Sequence, residues 1–351
     1  MSAIPEASRH IRTRRKSACW LCGGGGELLF SNLSDYLFGS LGKWSLKQCR
    51  NTTCRMVWLD PIPIEEDIEK AYQTYYTHTS GAVTGKIYAA VTSGYLQGKL
   101  GYSKGVGPTW YRYLRFLAYI YPTGPDHIES YTIMFLPPPS FPARLLDVGC
   151  GNGDLLVCMR SLGWDVEGID FDPAAVQTAR ARGLEVHQGE LQSQNYPSDR
   201  FDAVTMKHLI EHVYDPLSLV REAQRILKPG GTLVVLTPNS QSLGTHVYGQ
   251  DWGGWDPPRH LHIFNVENMR TTLERAGFKQ VEVRAIAGGA RDILSLSEGL
   301  RRKRTAPADT VEAWTNQRTL KSMALQYGER FLTFVTGRAG EEVLAVAHKS
   351  V

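Results

Sequence analysis

Arg144-Leu145-Leu146-Asp147-Val148-Gly149-Cys150-Gly151-Asn152-Gly153-Asp154 joins a short apolar run to a glycine turn, followed by Leu155, Met159 and Leu162 at helical spacing. Glycines at a strand-to-helix turn let the backbone approach a ligand closely, with the helix N-terminus behind it. The spacing is G-x-G-x-G and not the G-x-G-x-x-G of dinucleotide pyrophosphate sites, which argues against a nicotinamide-dependent dehydrogenase. Asp170 comes one helix beyond Gly153 and ends the next apolar run, Asp165–Ile169. A carboxylate there can accept from ribose hydroxyls, or simply close a strand-end turn.

The same alternation continues outward from this loop. Helices are expected at Asp154–Leu162, Pro173–Arg182 (ended by Gly183), Pro216–Leu227 (stopped by Pro229-Gly230-Gly231) and Val266–Ala276. Strands are expected at Arg144–Val148, Leu184–Gln188, Phe201–Met206, Thr232–Leu236, Gln280–Arg284 and Glu342–Ala347. Strands alternating with short helices call for a parallel sheet covered on both faces. The expected fold class is therefore α/β, a Rossmann-like seven-stranded sheet with helices on both faces. A mostly helical stretch, residues 289–340, precedes the last strand and is expected to cap the ligand cleft.

Upstream, Cys19-Trp20-Leu21-Cys22 is followed, across an Asn-, Ser- and aromatic-rich stretch, by Cys49-Arg50-Asn51-Thr52-Thr53-Cys54. Two close cysteine pairs around a β-like stretch suit two knuckles facing one tetrahedral Zn²⁺, and four thiolates would leave no open position for water. The competing reading is four unrelated buried thiols. Residues 17–63 are thus expected to form a zinc module. Residues 1–16, with Arg9, Arg12, Arg14, Arg15 and Lys16, read as a loose basic tail. Residues 64–142 read as a helical linker or lid: a helix over Ile64–Tyr76, an aromatic helix-like run over Trp110–Tyr121, and Pro137-Pro138-Pro139 as a break. The catalytic unit is expected over 143–288 together with 341–351.

The chain has 351 residues, of which 42% are hydrophobic and 21% charged, so it can bury a sizeable core and is not a disordered chain. Thirty-nine basic and 35 acidic residues leave a net charge of +4, too mild to imply a nucleic-acid partner by itself. No apolar run reaches the ~18 residues that span a bilayer, and residues 1–16 hold no signal-type apolar segment, so a cytoplasmic protein is expected.

These residues resemble class I S-adenosylmethionine (SAM)-dependent methyltransferases. Leu145–Gly153 resembles the first motif of that family and Gly168-Ile169-Asp170 its acidic second-strand motif. Phe201-Asp202-Ala203-Val204 with His208-Leu209-Ile210-Glu211-His212 is similar to the fourth strand and following loop, and Leu227–Gly231 to the crossover into the fifth. The likeness covers Arg144 to about Ala287. Paired cysteines, Tyr75-Tyr76-Thr77-His78 and Pro258-Arg259-His260-Leu261 further resemble a bacterial zinc-module subfamily that includes sugar carbon-methyltransferases and natural-product or glycan enzymes. Those sugar enzymes carry a larger C-terminal domain than this sequence has room for.

The resemblance implies that Gly149, Cys150, Gly151, Asn152 and Gly153 form the loop beside the methionine part of SAM, with Asp147 orienting its ammonium group. It implies Asp170 on the ribose, Phe171 against adenine or packed in the core, Glu190 and Leu191 at the adenine edge, and Lys207 at the cofactor end of the fourth strand. Cys150 has no partner base in view and reads as a loop-filling thiol rather than a nucleophile.

The donor sulfonium is already activated, so the protein chiefly aligns the acceptor and helps remove its proton. His212 beside Glu211 is the favoured base, with a cap or packing role as its alternative; His208 is placed nearer the cofactor. If that segment is helical, His208 and His212 share a face. A metal site on His208, Glu211 and His212 is set aside for want of a third ligand and of H-E-x-x-H order. The aromatic, Gly-rich stretch Trp252–His262 suits a substrate wall, where His260 and Arg259 can touch an acidic acceptor, Arg259 equally pairing with a structural carboxylate. Tyr76 and His78 can close the cleft from the N-terminal side. The expected partner is a small-molecule acceptor. The alternatives are a zinc-containing RNA methyltransferase, to which Arg301-Arg302-Lys303-Arg304 would contribute, and a SAM-binding protein without catalysis.

Overall fold

The computed structural model describes residues 10–72, 85–120, 124–140, 142–305 and 320–351, side chains at 320–323 excepted. Tyr75–His78, including the Tyr76 and His78 cleft reading, lie outside the described residues.

The N-terminal strands are β1 (Thr13–Arg14), β2 (Gly26–Leu33), β3 (Trp44–Cys49), β4 (Val57–Leu59) and β5 (Ile62–Pro63). The large sheet is built from β6 (Arg144–Val148), β7 (Asp165–Asp170), β8 (Glu185–Gln188), β9 (Phe201–Lys207), β10 (Leu227–Pro238), β12 (Gln280–Ile286) and β13 (Glu342–His348), while β11 (His262–Ile263) lies elsewhere. Its order is β12-β13-β10-β9-β6-β7-β8. The strands from β8 across to β10 run parallel, and β13 enters antiparallel between β10 and β12. The order reverses between β6 and β9, and ligands of open α/β sheets bind in the crevice outside the strand ends at such a point. The antiparallel β13 also departs from the nearly all-parallel dinucleotide sheet.

Central strands of this sheet read as continuous apolar runs because both faces are covered: Leu145, Leu146, Val204, Met206 and Leu233–Leu236 are all 0% exposed. The helix Pro216–Ile226 shows how the covering layer forms. Asp215 caps it by accepting from the Ser218 amide at 3.0 Å, Pro216 occupies the first turn, and Leu219, Val220, Ala223 and Ile226 line its buried face. Each such buried large aliphatic side chain contributes about 1.5–3 kcal/mol.

The cysteine module is stitched to the sheet domain rather than strung beside it. Strand β11, from the loop after β10, pairs antiparallel with β4 and completes a four-stranded sheet of order β11-β4-β3-β2. The Cys54 carbonyl accepts from the side-chain amides of Asn265 and Asn268 at 3.1 and 3.2 Å, the two residues that form the capping box of the helix Val266–Arg275. Arg259 is fully buried and donates to Asp35 at 2.7 Å, to both oxygens of Asp256 (2.5 and 2.9 Å) and to the Ala71 carbonyl at 3.1 Å. Its structural pairing, one of the two readings open from sequence, is the one realised.

Other expectations are corrected. The tail reading fails from Arg12 onward: β1 pairs with β5, and Arg12 grips Asp67 with its guanidinium at 2.9 Å. The helix expected over Ile64–Tyr76 is a 3-10 segment, Glu65–Tyr72, within the described residues, and the aromatic run is likewise 3-10 over Thr109–Tyr119. Glycine at 94 lets the second segment lie close against the helix Lys86–Gly98, since a Cβ there would overlap the Tyr111 carbonyl oxygen. The helix Ala290–Thr305 packs against the loop after β10, with the Ser297 hydroxyl accepting from the Gly253 amide at 2.8 Å. Its basic run is engaged within the chain: Arg301 and Arg304 with Asp251, Arg302 with Glu298, and Lys303 on the Tyr36 carbonyl.

Candidate functional site

The glycine loop leaves β6 with three residues in the left-handed region, Gly149 (φ 78°), Gly151 (φ 53°) and Gly153 (φ 79°). The glycines serve different ends. A Cβ at Gly153 would overlap Leu184 Cδ1, so that position lets the helix sit down on the sheet, whereas a Cβ at Gly151 would meet nothing within 4 Å. The open side of Gly151 is where a ligand can approach the backbone. Asn152 shapes the loop itself: its Oδ1 accepts from the Asp154 amide at 3.1 Å and its carbonyl from Arg182 at 2.8 Å. Cys150 is buried, and burial pushes its thiol well up, which leaves it inert.

Two carboxylates stand at this loop. Asp147 is buried at the end of β6; burial raises it to about 7, against the Thr205 hydroxyl that donates to its Oδ1 at 2.7 Å and the positive charge of Lys207. Asp170 ends β7 and accepts from the amides of Gly151 at 2.7 Å and Asp172 at 2.9 Å, and burial raises it as well. Each oxygen therefore keeps acceptor capacity for a further partner. Phe171 is half exposed, with its ring 5.3 Å from that of Tyr72, so core packing is not its role. Glu190 is exposed beyond β8, while the Leu191 side chain is core. The Lys207 ammonium sits 3.3 Å from the Tyr131 ring centre, and desolvation lowers it to about 8.

The histidine segment is a turn, not a helix: the His212 amide bonds to the Leu209 carbonyl at 2.9 Å and His208 has φ 50°. The shared helical face expected for His208 and His212 is therefore absent. His208 turns toward the last strand, Nε2 3.0 Å from Glu342 and Nδ1 3.5 Å from Glu211. Burial alone would lower it, but these two carboxylates lift it to about 9, so it is a cation at neutral pH and not a proton acceptor. His212 turns the other way, with Nδ1 3.0 Å from the Tyr72 hydroxyl and 3.1 Å from the Arg259 carbonyl oxygen. Burial, followed by the neighbouring His260, lowers it to about 4, so it is neutral. His260 lies edge-to-face with it at 4.6 Å, its Nδ1 2.8 Å from the Gly254 carbonyl. Glu211 is fully buried beneath them and accepts from the Thr237 hydroxyl at 2.8 Å.

Sequence reasoning missed Tyr72, Thr205 and Glu342. Thr205 shares a strand face with Lys207 on a strand already expected, so alternation along β9 was an available signal. Tyr72 lies 140 residues before His212 and Glu342 opens the last strand, so neither carries a local signal.

At the N-terminal module, Cys19 and Cys54 sulfurs are 3.7 Å apart, Cys22 and Cys49 3.4 Å, and all four lie within 4.8 Å of one another. A tetrahedral ion with ~2.3 Å bonds to sulfur needs sulfurs about 3.8 Å apart, a spacing that the Cys19–Cys54 pair matches and the Cys22–Cys49 pair falls short of. A Cβ at Gly24 would stand 3.3 Å from both Cys22 and Cys49 sulfurs, so glycine permits the knuckle. Hydrogen bonding from Cys54 lowers the Cys19 thiol to about 5, while the same contact raises Cys54.

Comparison with known proteins shows what this part of the chain is similar to. Residues 113–283 match the family model described as a methyltransferase domain. A ubiquinone biosynthesis O-methyltransferase of Xanthomonas campestris pv. campestris is 44% identical over 105 residues, which is 28% of this chain and 44% of that protein. Its namesake in Cereibacter sphaeroides is 36% identical over 151 residues, 40% of this chain and 61% of that one. The chain thus spans less than half the length of the first curated relatives it matches. A SAM-dependent methyltransferase of Thermotoga maritima aligns at 21% identity over 68% of this chain and 95% of its own, with a TM-score of 0.43. Residues 113–283 thus carry a methyltransferase domain, and the large sheet they contribute to is the seven-stranded α/β sheet of the methyltransferase fold.

Proposed function

We propose that this protein transfers the methyl group of SAM to a hydroxyl oxygen of a small-molecule acceptor. The observation that carries the reading is the convergence at the switch point. Asp147, Asp170 and the open side of Gly151 stand at the ends of neighbouring β6 and β7, and Glu211, His212 and His260 stand beyond β9. The O-methyltransferase names of the curated relatives favour oxygen over carbon. The acceptor is of the sugar, glycan or natural-product kind that the family resemblance points to.

In this reading the loop amides and Asp147 take the methionine end, Asp170 the ribose hydroxyls, and Phe171 the adenine face, with Tyr72 behind it. Lys207 stands near Asp147 and favours its ionised form. As the new carbon–oxygen bond forms, the sulfur–methyl bond breaks, sulfur keeps the electron pair, and the acceptor proton leaves toward the neutral His212. The Arg259 carbonyl accepts from Nδ1–H and so leaves a lone pair on Nε2. The four cysteines hold one structural Zn²⁺ that fixes the module against the helix at Val266; the supports are the sulfur spacing and the Cys54 carbonyl clamp. No helix among the described residues is long and apolar enough to cross a membrane.

Asp170→Ala is expected to weaken SAM binding at least tenfold by calorimetry, while His212→Ala leaves it unchanged and lowers release of S-adenosylhomocysteine with a competent acceptor. Unchanged SAM affinity in Asp170→Ala would overturn the ribose assignment.

A further inference from the structure

We propose that the 3-10 segment Thr109–Tyr119 docks this protein on the surface of an anionic lipid bilayer. Such a helix has three residues per turn, so side chains at i and i+3 eclipse one another. The segment closes with i to i+3 bonds at both ends, from the Tyr111 amide to the Pro108 carbonyl at 2.9 Å and from the Ile120 amide to the Leu117 carbonyl at 3.2 Å. Trp110, Tyr113, Phe116 and Tyr119 recur at that interval. At a rise of ~2 Å per residue the four rings form one row about 18 Å long. The row faces water: its residues are 44–64% exposed, and Ile120 just beyond it is 71% exposed. The other side of the segment is the one that packs. Leu114 lies against Gly94 of the helix Lys86–Gly98, and Ala118 is buried in the same apolar cluster as Tyr95. With about 200 Å² on each aromatic side chain, the row leaves about 450 Å² in water, a size at which an exposed patch marks an interaction site.

Charge names the occupant. From Ala71 to Pro125 the chain carries Lys86, Lys99, Lys104, Arg112 and Arg115 and no acidic residue. Lys86, Lys99 and Arg112 are exposed. Arg112 and Arg115 lie over the Tyr113 and Phe116 rings, 5.0 and 4.6 Å from their centres, which holds positive charge along the row. Tryptophan and tyrosine rings settle at the headgroup level of a bilayer, aliphatic tips reach the acyl boundary, and Lys and Arg add attraction to anionic lipids. A second copy of the chain would set this face against itself, cation against cation with no carboxylate to receive it. Single-stranded RNA would match the charges and stack on the rings, yet would leave the exposed Leu117 and Ile120 in water. The inference goes beyond the function proposed above and does not depend on it.

The test is flotation of the full chain with vesicles of phosphatidylcholine alone and of phosphatidylcholine with about one third phosphatidylglycerol. The wild type should bind the mixed vesicles at least tenfold more tightly than the neutral ones, and about 1 M salt should abolish that preference. Trp110→Ser combined with Phe116→Ser should weaken binding to the mixed vesicles at least tenfold without lowering the melting temperature, since both side chains are exposed. Arg112→Glu should remove most of the preference for phosphatidylglycerol. Lipids brominated near the headgroup should quench the fluorescence of the wild type more than that of Trp110→Phe, which keeps a ring in the row and still binds. This last readout locates the contact however the double variant folds. A wild type that stays in the unbound fraction overturns the inference, as does full binding by the double variant or equal quenching in Trp110→Phe. So does a row that joins two copies of the chain, or holds single-stranded RNA, in place of vesicles.

Discussion

Asp147 gives the sharpest handle on the cofactor assignment, because its burial makes SAM affinity depend on pH. Without ligand its carboxyl titrates at about 7, pushed up by desolvation. The positive ammonium end of SAM would bind the ionised form and hold it ionised. Affinity then scales with the ionised fraction of the free protein, about one tenth at pH 6 and nine tenths at pH 8, a change of about tenfold or ~1.4 kcal/mol. Asp147→Asn preserves shape and removes the titration, so its affinity should be weak and flat over the same range. Stability carries the opposite sign. The folded value lies above the unfolded one, so the carboxyl costs stability as pH rises from about 4 to about 7. Ligand-free Asp147→Asn should therefore melt above the wild type at pH 8 and level with it below pH 4. Calorimetric titration with SAM at pH 6, 7 and 8 decides the matter. A wild-type affinity that does not change across that range, or a slope that persists in Asp147→Asn, would refute the reasoning.

Three other outcomes follow from the packing. Arg259→Met strips the partner from buried Asp35 and Asp256 and should cost about 3–5 kcal/mol in denaturant unfolding, far more than loss of an exposed ion pair. Gly153→Ala should destabilise by more than ~2 kcal/mol, because it combines a positive φ with an overlap on Leu184; Gly151→Ala carries only the backbone cost of ~1 kcal/mol and should instead impair SAM binding. Elemental analysis should find one zinc bound through the cysteines, and Cys19→Ser should lose it together with several degrees of melting temperature.

How far the sequence reached differs from element to element. The strand at Leu145–Val148 and its glycine turn were legible because period, apolarity and glycine placement agree over one short stretch. So was the antiparallel last strand's existence, though not its place, since insertion of β13 between β10 and β12 depends on pairing across the whole helical segment that precedes it. The Thr13–Arg14 pairing with Ile62–Pro63 was hidden because strands so short have no period. The histidine turn was not legible for a related reason: the i,i+4 spacing is compatible with a helix, but the left-handed His208 breaks it.

What the amino-acid order settled alone is whatever neighbours enforce: strand and helix alternation, the loop glycines with Asp147, Asp170 at the end of the very next strand, and two cysteine pairs each closed within a single turn or knuckle. What only the folded chain decided is everything that closes over long loops. Tyr72 reaches His212, Arg259 locks Asp35, and His260 joins Glu211 and His212 in a triad whose third member no local spacing announces. Short-range order follows from backbone sterics and periodicity, which a sequence displays. Contacts between distant segments are set by the joint burial of many side chains, and that balance exists only once the chain has packed.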